Sequence, residues 1–257
     1  MTNKTNKAIG SNFTWAFQLF LYYKLNINDR LNLKFGGGYL HNSNGHTQLP
    51  NYGLNSAMIS ISSQYFFKPM QFKRLYEPDL TRHYFIDVRS GIGMQEYGAS
   101  KGPAGGPKKA VYTYAVSGGI IFKQNISIHA GLAYRYYQHF HDNIIKNKIP
   151  EYIDNPNLNA SNVYFFLGSE FLIGHASIDI EGGINLYKPF KDGNIEIIQG
   201  TKYWLKKLFP SRMGLKLYAI NTSKMPKNNI YVAANINANF GQADFSELSF
   251  GFVHLLK

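Results

Sequence analysis

The sequence has no cysteine, few charged residues and no long apolar run. Without cysteine, the chain can form neither disulfide bonds nor a cysteine-ligated metal site. Charged residues make up 16% of its 257 residues, against about 25% in average soluble proteins. No stretch approaches the ~18 apolar residues of a transmembrane helix, and residues 1–10 lack the apolar core of a secretory signal. These absences exclude helical membrane proteins and disulfide-stabilised domains.

Aromatic residues and glycine are what the sequence has in excess. It contains 19 tyrosines, 19 phenylalanines and 24 glycines, and its formal net charge of +12 comes from basic residues scattered along the chain. The basic residues form no stripe and accompany no nucleic-acid-binding motif, so we expect no nucleic acid partner. An aromatic-rich, glycine-rich and charge-poor chain without a transmembrane helix is typical of a soluble all-β protein or of a β-barrel in a membrane.

Strict alternation of apolar and polar residues predicts long β-strands. In the first segment, every odd position from Phe13 to Leu25 is apolar, and a period of two residues is that of a strand. Such a segment is longer than most globular strands, which have roughly 5–6 residues, and a membrane-crossing strand needs roughly 9–11. Similar alternation recurs to the end of the chain and predicts eleven strands.

The two faces of these strands favour a membrane barrel over a soluble one. One face is apolar with aromatic residues near its ends, as in the aromatic girdles of outer-membrane barrels. The other face carries glycine, serine, asparagine and isolated charges of both signs, which suits a barrel lumen. We expect the interior charges to form a structural network of ion pairs that includes Asp87, Glu170, Asp179, Glu181, Arg89 and Arg135.

The connections alternate between short and long, as periplasmic turns and extracellular loops do in outer-membrane barrels. Two break the rule: residues 67–82 are long on the short side, and residues 241–244 are short on the long side. If the first turn is periplasmic, the eleventh strand also ends in the periplasm, and a barrel that starts and ends there needs an even number of strands. We therefore predict an all-β, antiparallel transmembrane β-barrel of about twelve strands, with eleven visible, as a single domain over residues 1–257 that a signal peptide and one further strand precede.

Polar side chains end three neighbouring strands on their apolar face, at the predicted extracellular side. His41 and Ser43 continue the apolar face of the second strand, Asn55 that of the third and Glu96 that of the fourth. Polar groups on a lipid-facing wall are costly unless they are satisfied or functional. His41 and Ser43 are two residues apart and point to one face, so they are a candidate pair of general base and nucleophile. The sequence HNSNG at residues 41–45 is also typical of an ordinary polar β-turn.

Two motifs resemble a known family. HNSNG at residues 41–45 and PNYGLN at residues 50–55 resemble the outer-membrane lipid A 3-O-deacylase family, in the longer Bacteroidetes form often called acyloxyacyl hydrolase. The resemblance is specific over residues 36–67 and rests on the barrel pattern elsewhere. It implies that Ser43 is the nucleophile, that His41 is the general base, and that Asn44 stabilises the oxyanion together with nearby backbone N–H groups.

Two residues are candidates for the third member of the catalytic group. Asn55 stands where the best-known family members carry glutamate, and an amide can hold the tautomer of an imidazole but cannot balance its positive charge. Glu96 is the second candidate, and only its position on the apolar face of the fourth strand indicates it.

The resemblance implies a serine esterase of the bacterial outer membrane that removes an ester-linked acyl chain from lipid A. We assign no cofactor and no metal site to it. Its partner is then the lipopolysaccharide of the outer leaflet. Two alternatives stay open. A non-catalytic barrel, either a channel or a structural protein, predicts an open lumen and no oxyanion geometry at Ser43. A soluble β-barrel that binds a hydrophobic ligand predicts apolar side chains pointing inward.

Overall fold

The computed structural model describes residues 8–69, 81–96, 106–190 and 201–256, and in these ranges the chain forms eleven β-strands. The strands are β1 (Trp15–Asn28), β2 (Leu31–Ser43), β3 (Leu54–Tyr65), β4 (Arg82–Glu96), β5 (Lys108–Phe122), β6 (Ile126–Tyr137), β7 (Ser161–Ile173), β8 (Ala176–Tyr187), β9 (Pro210–Tyr218), β10 (Asn228–Asn239) and β11 (Gln242–Leu255). Helices α1 (Gln138–Asn147), α2 (Pro156–Asn159) and α3 (Thr201–Leu208) and a 3-10 turn (Thr222–Lys224) lie in the connections. The predicted number of visible strands is confirmed.

Eight strands close into a barrel and three lie outside it. Strands β4 to β11 pair antiparallel in sequence order, and β11 then pairs with β4, from Ser246 opposite Met94 to Leu255 opposite Phe85. Strands β1, β2 and β3 form a separate antiparallel sheet in that order. The all-β antiparallel barrel is therefore confirmed, but its strand count is eight instead of about twelve, because β11 pairs with β4 and leaves no free edge for the further strand that would have closed a twelve-stranded barrel.

The division into two sheets explains the long connection that precedes β4. We call the end where β2 ends and β3 begins the outer end, and the opposite end the inner end. Residues 66–81, which broke the rule of short inner turns, join β3 of the separate sheet to β4 of the barrel. They therefore link two sheets instead of two neighbouring strands. That residues 1–257 form one domain, with a signal peptide and a further strand before it, stays a prediction.

The barrel wall is apolar outside and polar inside. Along β4, Ile86, Val88 and Ile92 are about half exposed, whereas Asp87 and Arg89 are buried. This is the polarity of a barrel that spans a membrane, and it is the reverse of what a soluble barrel around a hydrophobic ligand requires. Of the helices in the described ranges, none has the length and hydropathy to cross a membrane.

The lumen is filled by ion pairs. Arg89 contacts both carboxylate oxygens of Glu181, and Arg212 Nη1 lies 3.0 Å from Asp179 Oδ2. Lys216 Nζ lies 3.0 Å from Glu170 Oε2. The predicted network is present, although Arg135 contacts Tyr164 and Asn237 instead of a carboxylate and Asp87 accepts hydrogen bonds from Tyr231.

A hydrophobic plug covers the outer mouth of the barrel. Phe140 and Ile144 of α1 pack into a buried cluster with Val111, Tyr137, Ala160, Phe190 and Phe245. The ring of Phe140 stacks on those of Tyr137 and Phe190, with centroids 4.5 and 4.7 Å apart. The plug closes the lumen on the side where the strands meet the long connections.

The plug is expected to loosen in acid because of His139 on α1. Burial lowers the pKa of His139 from 6.5 to about 4; Lys109 and His46 act in the same direction, and Asp142 opposes them. Between these pH values the unfolded segment binds a proton that the folded segment does not, so the stability contributed here falls as the pH drops from 6.5 towards 4. We expect the protection of α1 amides, measured relative to the intrinsic exchange rate at each pH, to decrease over this interval in the wild type and much less in His139→Gln. An equal decrease in both would contradict the assignment.

Candidate active site

The register of the separate sheet brings His41 and Asn55 together at the outer end. His41 on β2 lies directly opposite Asn55 on β3. His41 Nδ1 and Asn55 Oδ1 are 2.6 Å apart. The Tyr39 hydroxyl donates to the same Asn55 oxygen at 2.5 Å. All three side chains lie on the odd face, which also carries the exposed Leu19, Ile59 and Ile61.

This contact defines the tautomer of His41. An amide oxygen only accepts hydrogen bonds, so His41 Nδ1 carries the proton and Nε2 is left with a free lone pair. The Tyr39 hydroxyl donates to the same Asn55 oxygen and so helps to hold the amide in place. Asn55 thus orients the ring as a third catalytic residue would, without supplying a negative charge.

Ser43 is the last residue of β2 and lies opposite Trp15 on β1. It is 4% exposed. Among the hydrogen bonds of the described residues there is none between His41 and Ser43. The strand places both side chains on one face, two residues apart.

Asn44 organises the loop that follows, residues 44–53, which we call the site loop. Its side chain donates from Nδ2 to Gln48 O at 2.5 Å and accepts from His46 N at 3.0 Å. Its backbone N–H donates to Asn51 Oδ1 at 2.9 Å. Asn44 is 1% exposed, so it holds a compact turn directly beside Ser43.

Glu96 anchors the site loop to the barrel. Its Oε2 accepts the N–H of Leu49 at 2.9 Å, and its Oε1 accepts the N–H of Gly106 at 2.8 Å. The backbone N–H of Glu96 donates to His46 O at 3.2 Å. The side chain lies on the outer wall, as its phase predicted, and is buried because the loop covers it. Its two carboxylate oxygens bind backbone, whereas the side chain beside His41 Nδ1 is Asn55.

Three residues that the sequence analysis did not propose for the site support it. Tyr39 orients Asn55, and its position two residues before His41 is the signal that could have shown this. Gly53 has φ +74°, and a Cβ there would lie 2.9 Å from His41 Cε1, so only glycine leaves room for the imidazole. Trp15 Nε1 donates to Ser246 Oγ at 2.9 Å and ties the separate sheet to β11.

A second group of titratable side chains lies in the lumen. His129, Asp179 and Glu181 bring potential metal-binding atoms within 4.8 Å of one another. Both carboxylates are already paired, Asp179 with Arg212 and Lys216, and Glu181 with Arg89 and Arg212. Three cations at these distances oppose a further positive ion, so the arrangement is better suited to structural ion pairing.

In comparisons with known proteins, the family match lies in the segment that forms the separate sheet. The family model described as lipid A 3-O-deacylase (PagL) matches residues 1–64, the segment that contains His41, Ser43, Asn44 and Asn55. A solved structure from the de novo design of transmembrane β-barrels is 7% identical, covers 68% of this chain and 95% of its own, and has a TM-score of 0.33. No curated protein is significantly similar. The resemblance to the lipid A 3-O-deacylase family is therefore confirmed for the segment that carries the candidate site.

Proposed function

We propose that the protein is an outer-membrane serine esterase that removes an ester-linked acyl chain from lipid A. The observation that carries this is the contact of His41 with Asn55 on the apolar face of a sheet whose sequence matches the deacylase family. A site on that face is open to lipid rather than to the lumen. Lipid A in the outer leaflet offers an acyl ester at this level of the membrane.

The chemistry uses His41 as base and Ser43 as nucleophile. His41 Nε2 takes the proton of Ser43 Oγ while Oγ attacks the ester carbonyl. The tetrahedral intermediate collapses, the C–O bond to lipid A breaks, and the departing oxygen takes the proton from His41. Water, activated in the same way by His41, then cleaves the acyl-enzyme and releases the fatty acid. The hydrogen bond between His41 and Ser43 forms when substrate is bound, since catalytic contacts in hydrolases often reach their working geometry only in that complex.

Asn44 is the proposed oxyanion donor. Its side-chain amide has two hydrogens, and in the described residues it donates one of them, to Gln48 O. The other hydrogen, together with backbone N–H groups of the site loop, can stabilise the intermediate; one such donor contributes roughly 2.7–4 kcal/mol in a serine hydrolase. Glu96 supports this arrangement by fixing the loop.

The substrate's acyl chain has an apolar surface to follow. Beside His41 on the same face lies Phe17 of β1, which pairs directly with it, and below it lie Leu19 of β1 and Ala57 and Ile59 of β3. Ile59 is 90% exposed. A chain lying along this face keeps its hydrocarbon in lipid while its ester reaches Ser43.

A channel is disfavoured by the interior of the barrel. That alternative predicted an open lumen, whereas the lumen of β4–β11 holds buried ion pairs and the α1 plug covers its outer mouth. A structural, non-catalytic barrel is separated from the esterase by experiment.

The test is the lipid A of cells that produce the protein from its complete gene. Mass spectrometry is expected to show a species lacking one acyl chain with the wild type, and to show none with Ser43→Ala. Ser63→Ala is the matched control, because it removes a hydroxyl from the same face of the sheet at the inner end. Deacylation that persists in Ser43→Ala, with both variants folded, would leave the structural alternative.

The third catalytic residue is tested at Asn55. Asn55→Leu removes the acceptor of His41 Nδ1; a hydrogen bond to a charged group contributes roughly 1.5–3 kcal/mol, so the rate is expected to fall roughly 10- to 150-fold. Asn55→Asp keeps the acceptor, adds the charge that balances the imidazolium, and is expected to equal or exceed the wild type. If Asn55→Leu retains full activity, the orienting residue is not Asn55, and Glu96 becomes the candidate.

A further inference from the structure

The separate sheet has two unpaired edges. Among the described residues, β1 and β3 each form a ladder only with β2. The backbone N–H and C=O groups on the outer sides of β1 and β3 are therefore without a neighbouring strand, over 14 and 12 residues. The barrel cannot supply one, because its own ladders are closed between β11 and β4.

The two faces of this sheet are those of a barrel wall. The odd face is apolar, and Leu21 and Ile61 on it are 75% and 73% exposed. The even face carries polar side chains such as Lys24 and Lys34, which lie opposite each other. Its glycines are covered by rings: a Cβ on Gly36 would lie 2.6 Å from Tyr22. One apolar and one polar face are what a strand in an outer-membrane barrel presents to lipid and to the lumen.

The unpaired backbone groups at these two edges would be unfavourable inside a membrane. In the hydrocarbon region no water is present to satisfy backbone groups, so strands cross membranes only in closed barrels. The separate sheet therefore needs strands on both sides. A soluble partner would not meet this need, because it cannot enter the apolar layer.

A second copy of this chain cannot fill the edges. Since β2 is antiparallel to both neighbours, β1 and β3 run in the same direction. Pairing β3 of one copy with β1 of another would create a parallel ladder, whereas bacterial outer-membrane barrels are antiparallel. Pairing β1 with β1, or β3 with β3, would be antiparallel but would place the two His41 side chains at opposite faces of the membrane.

The directions of β1 and β3 determine how many further strands are needed to close the separate sheet into a barrel. A closing segment must be antiparallel to β1 at one end and to β3 at the other, so it has an odd number of strands. One strand would give a barrel of four, and bacterial outer-membrane barrels have at least eight. Five strands are the smallest number that satisfies both conditions, and the same chain already builds an eight-stranded barrel.

The path of the chain before β1 indicates where such a segment connects. The N–H of Gly10 donates to Pro50 O at 2.8 Å, and Ala8 O accepts from Gly53 N at 2.9 Å. Residues 8–10 thus lie across the site loop at the outer end, where β1 begins. A strand antiparallel to β1 would end at this level, within a short loop of residue 8.

We propose that β1–β3 are the last three strands of a second eight-stranded barrel, whose other five strands belong to polypeptide joined to the amino-terminal side of β1. This replaces the single further strand and the twelve-stranded barrel predicted from the sequence. The whole protein then carries two barrels side by side, one with the site on its outer wall and one with a filled lumen, linked at the inner end by residues 66–81.

The first experiment measures the native polypeptide. An affinity tag is placed at the 3′ end of the chromosomal gene in the source organism, and the intact mass of the protein from outer membranes is determined. The mass is expected to exceed that of residues 1–257 by at least roughly fifty residues, from five strands of roughly ten residues each. A mature protein that begins within residues 1–14 overturns the proposal, including the case in which a separate polypeptide pairs with β1 or β3.

The second experiment tests the edges themselves. Hydrogen exchange of the native protein in detergent is expected to protect every backbone amide within β1 and β3, as in β2 and in the barrel strands. Bare edges predict alternation instead: amides directed towards β2 are protected and those directed away exchange rapidly. Alternating protection in a native protein of the larger mass would also overturn the proposal.

Discussion

Replacing His41 with glutamine is expected to lower kcat/KM for acyl release by a factor of roughly 10²–10⁴, the usual contribution of a general base. Glutamine is neutral, similar in length and able to donate to Asn55 Oδ1, so it keeps the contact that His41 makes at 2.6 Å. It cannot take the proton of Ser43. The loss should therefore appear in kcat, with the binding of lipid A little changed, and it is measured by fatty acid release from lipid A in detergent micelles.

A matched control separates this effect from damage to the protein. His83→Gln makes the same substitution on β4 near the inner end, where the imidazole contacts Thr81. It is expected to keep wild-type activity. If His41→Gln also keeps wild-type activity, His41 is not the base and the proposed mechanism fails.

Replacing Arg212 with methionine is expected to destabilise the eight-stranded barrel by roughly 3–5 kcal/mol, as when one partner of a buried ion pair is removed. Arg212 is 2% exposed. It lies 3.0 Å from Asp179 and 3.3 Å from Glu181 through Nη1, and 3.5 Å from Glu247 through Nε. Methionine fills much of the same space but leaves these carboxylates, which are 0–3% exposed, without a cation that they now share.

The measurement is the urea concentration at the unfolding midpoint, followed by circular dichroism in detergent. Arg82→Met is the control, because Arg82 is exposed at the inner end and its guanidinium lies over the ring of Phe122. It should leave the midpoint nearly unchanged. A midpoint for Arg212→Met that equals that of Arg82→Met would show that the network does not stabilise the barrel.

The strands and their faces could be predicted because a period of two residues is a local property. The same parity placed Asp87 and Arg89 inside, as the structure has them, and Glu96 on the opposite face, where it contacts the site loop. Arg212 and Lys216 were missed because β9 has only a weak alternation in its apolar residues, which hid their inward positions. They nevertheless supply two of the three cations that neutralise the buried carboxylates.

Closure could not be predicted from periodicity. Strand β11 can present the same edge to β4 or to a further strand before β1, and nothing within one strand tells which neighbour it takes. The long inner connection before β4 was the local sign that a new sheet begins there. The role of Asn55 followed from family resemblance and register, whereas the covering of Glu96 depends on a loop whose fold is set by Asn44, Asn51 and the barrel rim.

The filled lumen also determines how much this protein adds to the permeability of the membrane that holds it. Each copy of an open barrel adds a leak through which antibiotics and nutrients pass. In β4–β11, ions would have to displace Arg89, Arg212 and Lys216 from their carboxylates and pass the stacked rings of the plug. In the proposed outer-membrane location, a cell can therefore hold many of these barrels without weakening the permeability barrier of that membrane.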